Sequence, residues 1–294
     1  MINQTTKDRI AKLSTEYRKL VASHENGVRE IAVAEIPEMV YNSNAIENST
    51  LSLKDTEDIL LRGTIKKDHD IREIYEAKNL ANITEILLKS PRKPFSVETI
   101  LDLHKILLAS IHDDWAGRLR RHKEWVRVGG HVGANPDFVP RLIDELVDDY
   151  KKKDDRYFLD KIAWFHAEFE TIHPFNDGNG RMGRVLINQQ LMSLGYPPVI
   201  IQNKGKHIAY YPVFDTYSLT NKFDDFTELL ANLLVESLYK RIALLTAPKI
   251  ITVSAWAKAN GVAGNVAINR ASRGTIPAFR MREKWMIAAD FHEE

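Results

Sequence analysis

The stretch "FETIHPFNDGNGRMGR", residues 169–184, places a histidine, a carboxylate, three glycines and two arginines between His173 and Arg184. Before it, Ile162, Phe165, His166, Phe169, Ile172 and His173 recur at three- and four-residue steps, which is one face of a helix. After it, Val185, Leu186, Gln189, Leu191 and Met192 resume a helical run that Gly195 and the Pro197–Pro198 pair close. The glycine-rich stretch is therefore a break between two helices. The same periodicity marks Ile10–Val21, Ile71–Leu88, Val97–Ile111, Val139–Lys151 and Phe223–Leu245, so the fold class expected is mostly α. The best strand signal is "EWVRVGGHVGANPDFVP", 124–140, which reads as a hairpin turning at Gly129–Gly130 and leaving through Pro136 and Pro140.

A chain of 294 residues, 44% hydrophobic and 28% charged, has room for one large domain with an appendage or for two domains. It has no cysteine, which excludes disulfides, zinc–thiolate sites, iron–sulfur clusters and cysteine nucleophiles. The N-terminus lacks an apolar signal core, and no run approaches the ~18 apolar residues of a membrane span. A soluble, cytoplasmic protein without membrane contact is the expectation. Charge is uneven: Lys249 to Ala289 holds seven lysines and arginines against Glu283 alone, +6 in a chain whose total is +1. This marks a separate C-terminal module with an anionic partner, or a solvated basic face.

The chemistry of 173–184 follows from its residue types. A helix starting near Arg181 presents free backbone N–H groups and the positive end of its dipole, an anion site. Gly178 and Gly180 let an anion approach the backbone, and Arg181 and Arg184, three apart, flank it with guanidinium groups suited to phosphate. Asp177 is a hard oxygen ligand for a Mg²⁺ shared with phosphates. His173 is left as a base, with an ordinary pKa near ~6.5, able to take a proton from a hydroxyl. Together these are the parts of phosphoryl or nucleotidyl transfer. Two other readings fit the same residues: a hydrolytic metal site built from His166, His173 and Asp177, and a structural turn.

"HPFNDGNGRMGR" resembles the motif of the Fic (filamentation induced by cAMP) family, HxFx(D/E)GNGRxxR, at every specified position. "GRLRRHKEWVRVGG…PDFVP" resembles that family's flap region, and "HIAYYPVFDTY" its tyrosine-bearing segment, so the likeness covers roughly residues 30–240. It implies a helical bundle with a β-hairpin flap, ATP with Mg²⁺ as co-substrate and cofactor, and transfer of AMP to a protein hydroxyl. By position, His173 would be the general base and Asp177 the Mg²⁺ ligand. Gly178, Asn179, Gly180 and Arg181 would cradle the phosphates, Arg184 would clamp the terminal one, and Tyr210 and Tyr211 would border the adenosine. An aromatic pair at a helix end equally suits a core.

"SNAIEN", residues 43–48, resembles the family's inhibitory pattern (S/T)xxxE(G/N). Ser43 and Glu47 lie one helical turn apart and face the same way, and Asn48 suits a helix terminus. A Glu47 carboxylate against Arg184 would take the partner meant for the γ-phosphate; the alternative is a surface helix whose glutamate has no special partner. Glu47 could also orient a water for the reverse reaction, removal of AMP. The flap, Trp125 to Phe138, would align a target protein by β-augmentation. Arg118, Arg120, Arg121, Lys123 and Arg127 make its neighbourhood basic, either for acidic targets or as a solvated face.

The last segment, "ITVSAWAKANGVAGNVAINRASRGTIPAFRMREKWMI", resembles excisionase-like winged helix-turn-helix domains. Against DNA, Arg270, Arg273 and Arg280 would be the contacts; docking a protein or a second copy fits such a module equally. The organisation expected is an N-terminal helical region over 1–60 carrying the inhibitory helix, a Fic core with its trailing helix over 61–248, and the winged module over 249–294. The function expected is an autoinhibited protein adenylyltransferase able to modify itself. The rival is a nucleotide-sensing, DNA-binding regulator with little turnover.

Overall fold

A computed structural model of the chain describes residues 2–65, 68–128, 130–152 and 155–292. Its helices are α1 (Gln4–Ser23), α2 (Glu25–Ala34), α3 (Ile36–Ile46), α4 (Leu53–Arg62), α5 (Ile71–Lys89), α6 (Val97–Leu107), α7 (Val139–Lys151), α8 (Phe158–Ile172), α9 (Asn179–Ser193), α10 (Tyr211–Thr220), α11 (Asp224–Thr246), α12 (Val253–Ala259) and α13 (Gly264–Ser272). Short strands are β1 (Arg127–Val128), β2 (His131–Val132), β3 (Ile250–Thr252), β4 (Phe279–Met281) and β5 (Lys284–Ala288). The mostly helical expectation holds. No helix among the described residues is long and apolar enough to cross a membrane.

Two compact units divide the chain: Glu35–Gly195 with Ile200–Leu229, and Ile2–Ala34 with Tyr196–Val199 and Leu230 onward. The division therefore does not fall at residues 60 and 248. Helices α1 and α2 fold with the C-terminal part, where Arg9 donates to the Gly274 carbonyl at 2.9 Å, while α3 folds with the residues around the glycine-rich loop.

In the first unit, burial follows the periodicity. On α7, Val139, Ile143, Leu146 and Val147 recur at helical spacing and pack with Leu80, Ile83 and Leu87 of α5, Ile100 and Leu103 of α6, and Phe165 and Phe169 of α8. Entry into α4 is fixed by a capping box: Ser52 accepts from the Asp55 N–H, and the Asp55 carboxylate accepts from the Ser52 N–H. The expected hairpin is present as β1 against β2, antiparallel, with Val128 opposite His131. Gly129 of its anticipated turn lies outside the described residues.

In the second unit, β3, α12, α13, β4 and β5 follow in that order, and the strands form one antiparallel sheet with β5 central. Gly261, at φ +68, makes the turn between α12 and α13. Trp256, Ala257, Ala267, Ala271 and Ile287 close a small core, and the Trp256 indole N–H donates to the Phe291 carbonyl at 2.9 Å. Arg282 and Glu283 both adopt positive φ where β4 turns into β5.

Candidate active site

α8 stops at His173, whose φ of 53° and ψ of 65° are left-handed, a conformation that costs an L-residue roughly 1–2 kcal/mol. Arg120 holds it there. Its fully buried guanidinium donates to the carbonyls of His173 (2.7 Å), Ile172 (3.1 Å), Ala134 (2.8 Å) and Glu124 (2.8 Å). One side chain thereby ties both legs of the hairpin to the last carbonyls of α8. The His173 ring sets Nδ1 at 3.3 Å from the Glu170 carbonyl, which can only accept, so Nδ1 carries the proton and Nε2 keeps its lone pair. Burial first, then Arg120 and His131, hold the imidazole down to about 4 against the pull of that carbonyl. This corrects the ordinary value expected from sequence: the ring is enclosed, and it is neutral at pH 7.

The basic neighbourhood is likewise more structural than its composition indicates. Arg118 forks onto Glu124 with two bonds of 2.8 Å, which pulls the carboxyl down to about 2, and Arg120 is internal. Arg121, Lys123 and Arg127 are exposed.

The loop after His173 is shaped from both sides. The Asn179 side chain accepts from the Phe175 N–H (2.9 Å) and donates to the Phe175 carbonyl (2.8 Å), closing the turn on itself. His104 stacks on Phe175 at 3.6 Å; its Nδ1 accepts from the Gly117 N–H, so Nε2–H donates to the Asp177 carbonyl at 3.0 Å. Gly178, at φ +81, then turns the chain into α9 and leaves the first-turn N–H groups facing outward. Arg181 is buried, with Nη2 at 3.2 Å from Asp177 and Nη1 at 3.0 Å from Glu76 of α5, while its Nε has no hydrogen-bond partner. Asp177 also accepts from the Gly178 N–H and from Arg72 of α5, both at 2.6 Å. A buried guanidinium with an orphan donor, beside a carboxylate at a helix N-terminus, fits a phosphate and the Mg²⁺ it would share. The hydrolytic alternative does not fit. His166 bonds Tyr210 Oη at 2.9 Å, and among the described residues no three histidine or acidic side chains are placed to hold a metal.

Arg184 meets the element at residues 43–48. Its guanidinium donates to Ser43 Oγ (2.9 Å), the Ser43 carbonyl (2.9 Å) and Glu47 Oε1 (2.8 Å). A Cβ at Gly180 would collide with Glu47 Oε1, so the carboxylate lies where an anion at the start of α9 would lie. Helix α3 ends at Ile46, and Asn48 takes φ +67, which suits asparagine. Lys206 caps that end: Nζ donates to the carbonyls of Ala45 (3.0 Å) and Ile46 (2.9 Å) and to Asn48 Oδ1 (3.0 Å), and Tyr211 Oη donates to the Ile46 carbonyl at 2.9 Å. Tyr210 is buried against His166, Phe214 and Phe226, on the core side of the pair.

All the anticipated core-site residues therefore meet in the first unit; Arg270, Arg273 and Arg280 belong to the second. The expectation of a DNA contact at Arg280 is narrowed, because its guanidinium forks onto the two oxygens of Glu236 at 2.6 and 3.0 Å and lies over Trp285. Sequence reasoning missed His104, Glu170, Arg72, Glu76 and Lys206, and read Arg120 only as one of a basic run. His104 alone left a signal, a histidine on the apolar stripe of Ile100, Leu103 and Leu107.

Residues 94–191 match the model of the Fic/DOC family. It is 34% identical over 179 residues to Protein adenylyltransferase Fic of Aedes aegypti, covering 58% of this chain and 35% of that protein. Among solved structures, a Fic-domain signalling protein of Bacteroides thetaiotaomicron superposes with a TM-score of 0.72 at 24% identity, over 81% of this chain and 96% of that one. A Fic family protein of Desulfovibrio desulfuricans superposes over 100% of this chain and 98% of its own, with a TM-score of 0.65 at 18% identity. These two likenesses establish the fold. The chain spans about a third of the length of the curated relatives it matches.

Proposed function

We propose that this chain is a protein adenylyltransferase, held in check by Glu47, that transfers AMP from ATP to a protein hydroxyl. The observation that carries this is the Glu47 carboxylate seated on Arg184 at the start of α9, an acid standing where a terminal phosphate would stand. In the reaction, His173 Nε2 takes the proton of the acceptor hydroxyl, whose oxygen bonds to the α-phosphorus. The bond from that phosphorus to the bridging oxygen breaks, and pyrophosphate leaves. The α9 N–H groups, Arg181 and Arg184 hold the phosphates; Asp177 would hold Mg²⁺, which supplies charge neutralisation when bound. Trp125, Val128, Val132 and Phe138 are exposed around the hairpin, an apolar edge suited to an extended target segment.

The test is label transfer from ATP radiolabelled at the α-phosphate, with Mg²⁺. Wild type should label weakly, Glu47→Gly roughly 10–100-fold more, the worth of one charge-assisted bond, and Glu47→Gly/His173→Ala not at all. Silence of Glu47→Gly in the presence of bound ATP would overturn the reading.

A second activity is favoured by the second unit. Helix α13 exposes Asn265, Val266, Ile268 and Asn269, with Arg273 exposed at its C-cap, and no acid interrupts α12 or α13. We read β3–β5 with these helices as a winged helix that contacts duplex DNA through α13, with Arg270 and Arg273 toward phosphates. Salt-dependent duplex binding that survives His173→Ala is the expected result; binding to a protein alone would replace it.

A further inference from the structure

Glu170 has no task in the transfer reaction as proposed, yet it is built into the site. It stands one turn before His173 on α8, with its carboxyl enclosed between α8 and α9. Oε1 is buried without a hydrogen-bond partner and rests on Gly183, where a Cβ would come within 2.5 Å. Oε2 lies 3.6 Å from His173 Nδ1. A carboxyl oxygen buried without a bonded partner costs stability, and the bare backbone at residue 183 is what gives it room. The titratable and charged groups facing it are His173 and His166 on α8, Arg184 on α9, Glu47 at the end of α3, and Tyr210 and Tyr211 at the head of α10.

We infer that Glu170 is a positioning residue for the base: its carboxyl beside Nδ1 holds the imidazole in the Nδ1–H form and balances the charge the ring acquires when Nε2 takes the acceptor proton. The inference rests on the transfer reading. At rest the Nδ1 proton faces the Glu170 carbonyl at 3.3 Å, with the carboxyl only slightly farther. A small rotation of either side chain passes the contact from one oxygen to the other. Burial, and after it the Glu47 charge, push the carboxyl up to about 8, with Arg184 acting the other way. Glu47 on Arg184 therefore does two things. It takes the phosphate's partner, and it adds to the burial that holds Glu170 neutral.

The test adds Glu170→Gln to active Glu47→Gly, since glutamine keeps the shape but cannot ionise. The expected result is a fall in kcat for self-labelling of roughly 10–100-fold, the range for removing the orienting partner of a functional histidine, with KM for ATP unchanged. The rise of rate with pH that accompanies Glu170 ionisation should vanish. An unchanged kcat and an unchanged pH profile would overturn the inference. If the glutamine variant does not fold, Glu170→Asp decides: a lowered kcat on a displaced pH limb supports it, and a wild-type profile overturns it. If Glu47→Gly is itself silent, the transfer reading fails; the His173 tautomer read by ¹⁵N NMR then decides on Glu170 alone, loss of the Nδ1–H preference in Glu170→Ala supporting the inference and an unchanged tautomer overturning it.

Discussion

Arg184 reaches Glu47 through a single 2.8 Å contact, with the glutamate side chain 42% exposed. Arg280, in the other unit, forks onto Glu236 with bonds of 2.6 to 3.1 Å, its acid 17% exposed and its guanidinium lying over Trp285. Both are arginine–glutamate pairs, and they differ in what could replace the acid. Glu236 projects from the middle of α11 and offers both oxygens, so no competing anion gains by displacing it. Glu47 sits at the C-terminal cap of α3 and offers one oxygen to an arginine that also bonds Ser43. A phosphate with three oxygens at a helix N-terminus has more to offer that guanidinium. The second pair is a staple, and the first is the brake of the proposed function.

Acid should separate the two regions most strongly. Buried His104, His166 and His173 lie on the Arg184 side and are held down to about 4, 3 and 4 by burial. Unfolded histidines take up protons below about 6.5 while these stay neutral, so stability is lost as pH falls through that window, by roughly 2 kcal/mol each between pH 7.5 and 5. Glu170 is raised instead, so it gains protons in the fold first and offsets about 3 kcal/mol of that loss. A net loss of roughly 3 kcal/mol should appear in hydrogen exchange as earlier deprotection of α8 and α9 than of β3–β5. Equal loss in both regions would dissolve the contrast.

A smaller effect compares the acids directly. Where Glu47→Gly raises labelling, Glu236→Gln should leave labelling unchanged and lower thermal stability by about 1–2 kcal/mol, as expected for a partly buried, forked pair. Activation by Glu236→Gln would show that the staple, too, restrains the enzyme. The smallest effect belongs to Lys206, which caps the helix end that carries Glu47. Lys206→Met should raise labelling by roughly 3–10-fold, the worth of about 1 kcal/mol of capping, and add nothing to Glu47→Gly. Additivity in the double variant would place Lys206 outside the brake.

Much of this was legible along the chain. The two helices around the glycine loop, the hairpin and the C-terminal turn at Gly261 followed from periodicity and from the turn residues, which act over a few positions. The candidate anion site was legible for the same reason: Asp177, Gly178, Gly180, Arg181 and Arg184 are neighbours in sequence. The pairing of Ser43 and Glu47 with Arg184 spans some 140 residues, and only the resemblance anticipated it.

What the sequence by itself determined, then, is the set of chemical groups and the local backbone that presents them. Tertiary structure decided their states. It made His173 a neutral, enclosed imidazole; it turned Arg120 from one of a basic run into the internal tie between hairpin and α8; it closed Arg280 onto Glu236; and it put Glu170 beside the imidazole. Charge state and hydrogen-bond partner depend on burial and on groups brought in from other elements. Those are set by packing, which no local spacing encodes.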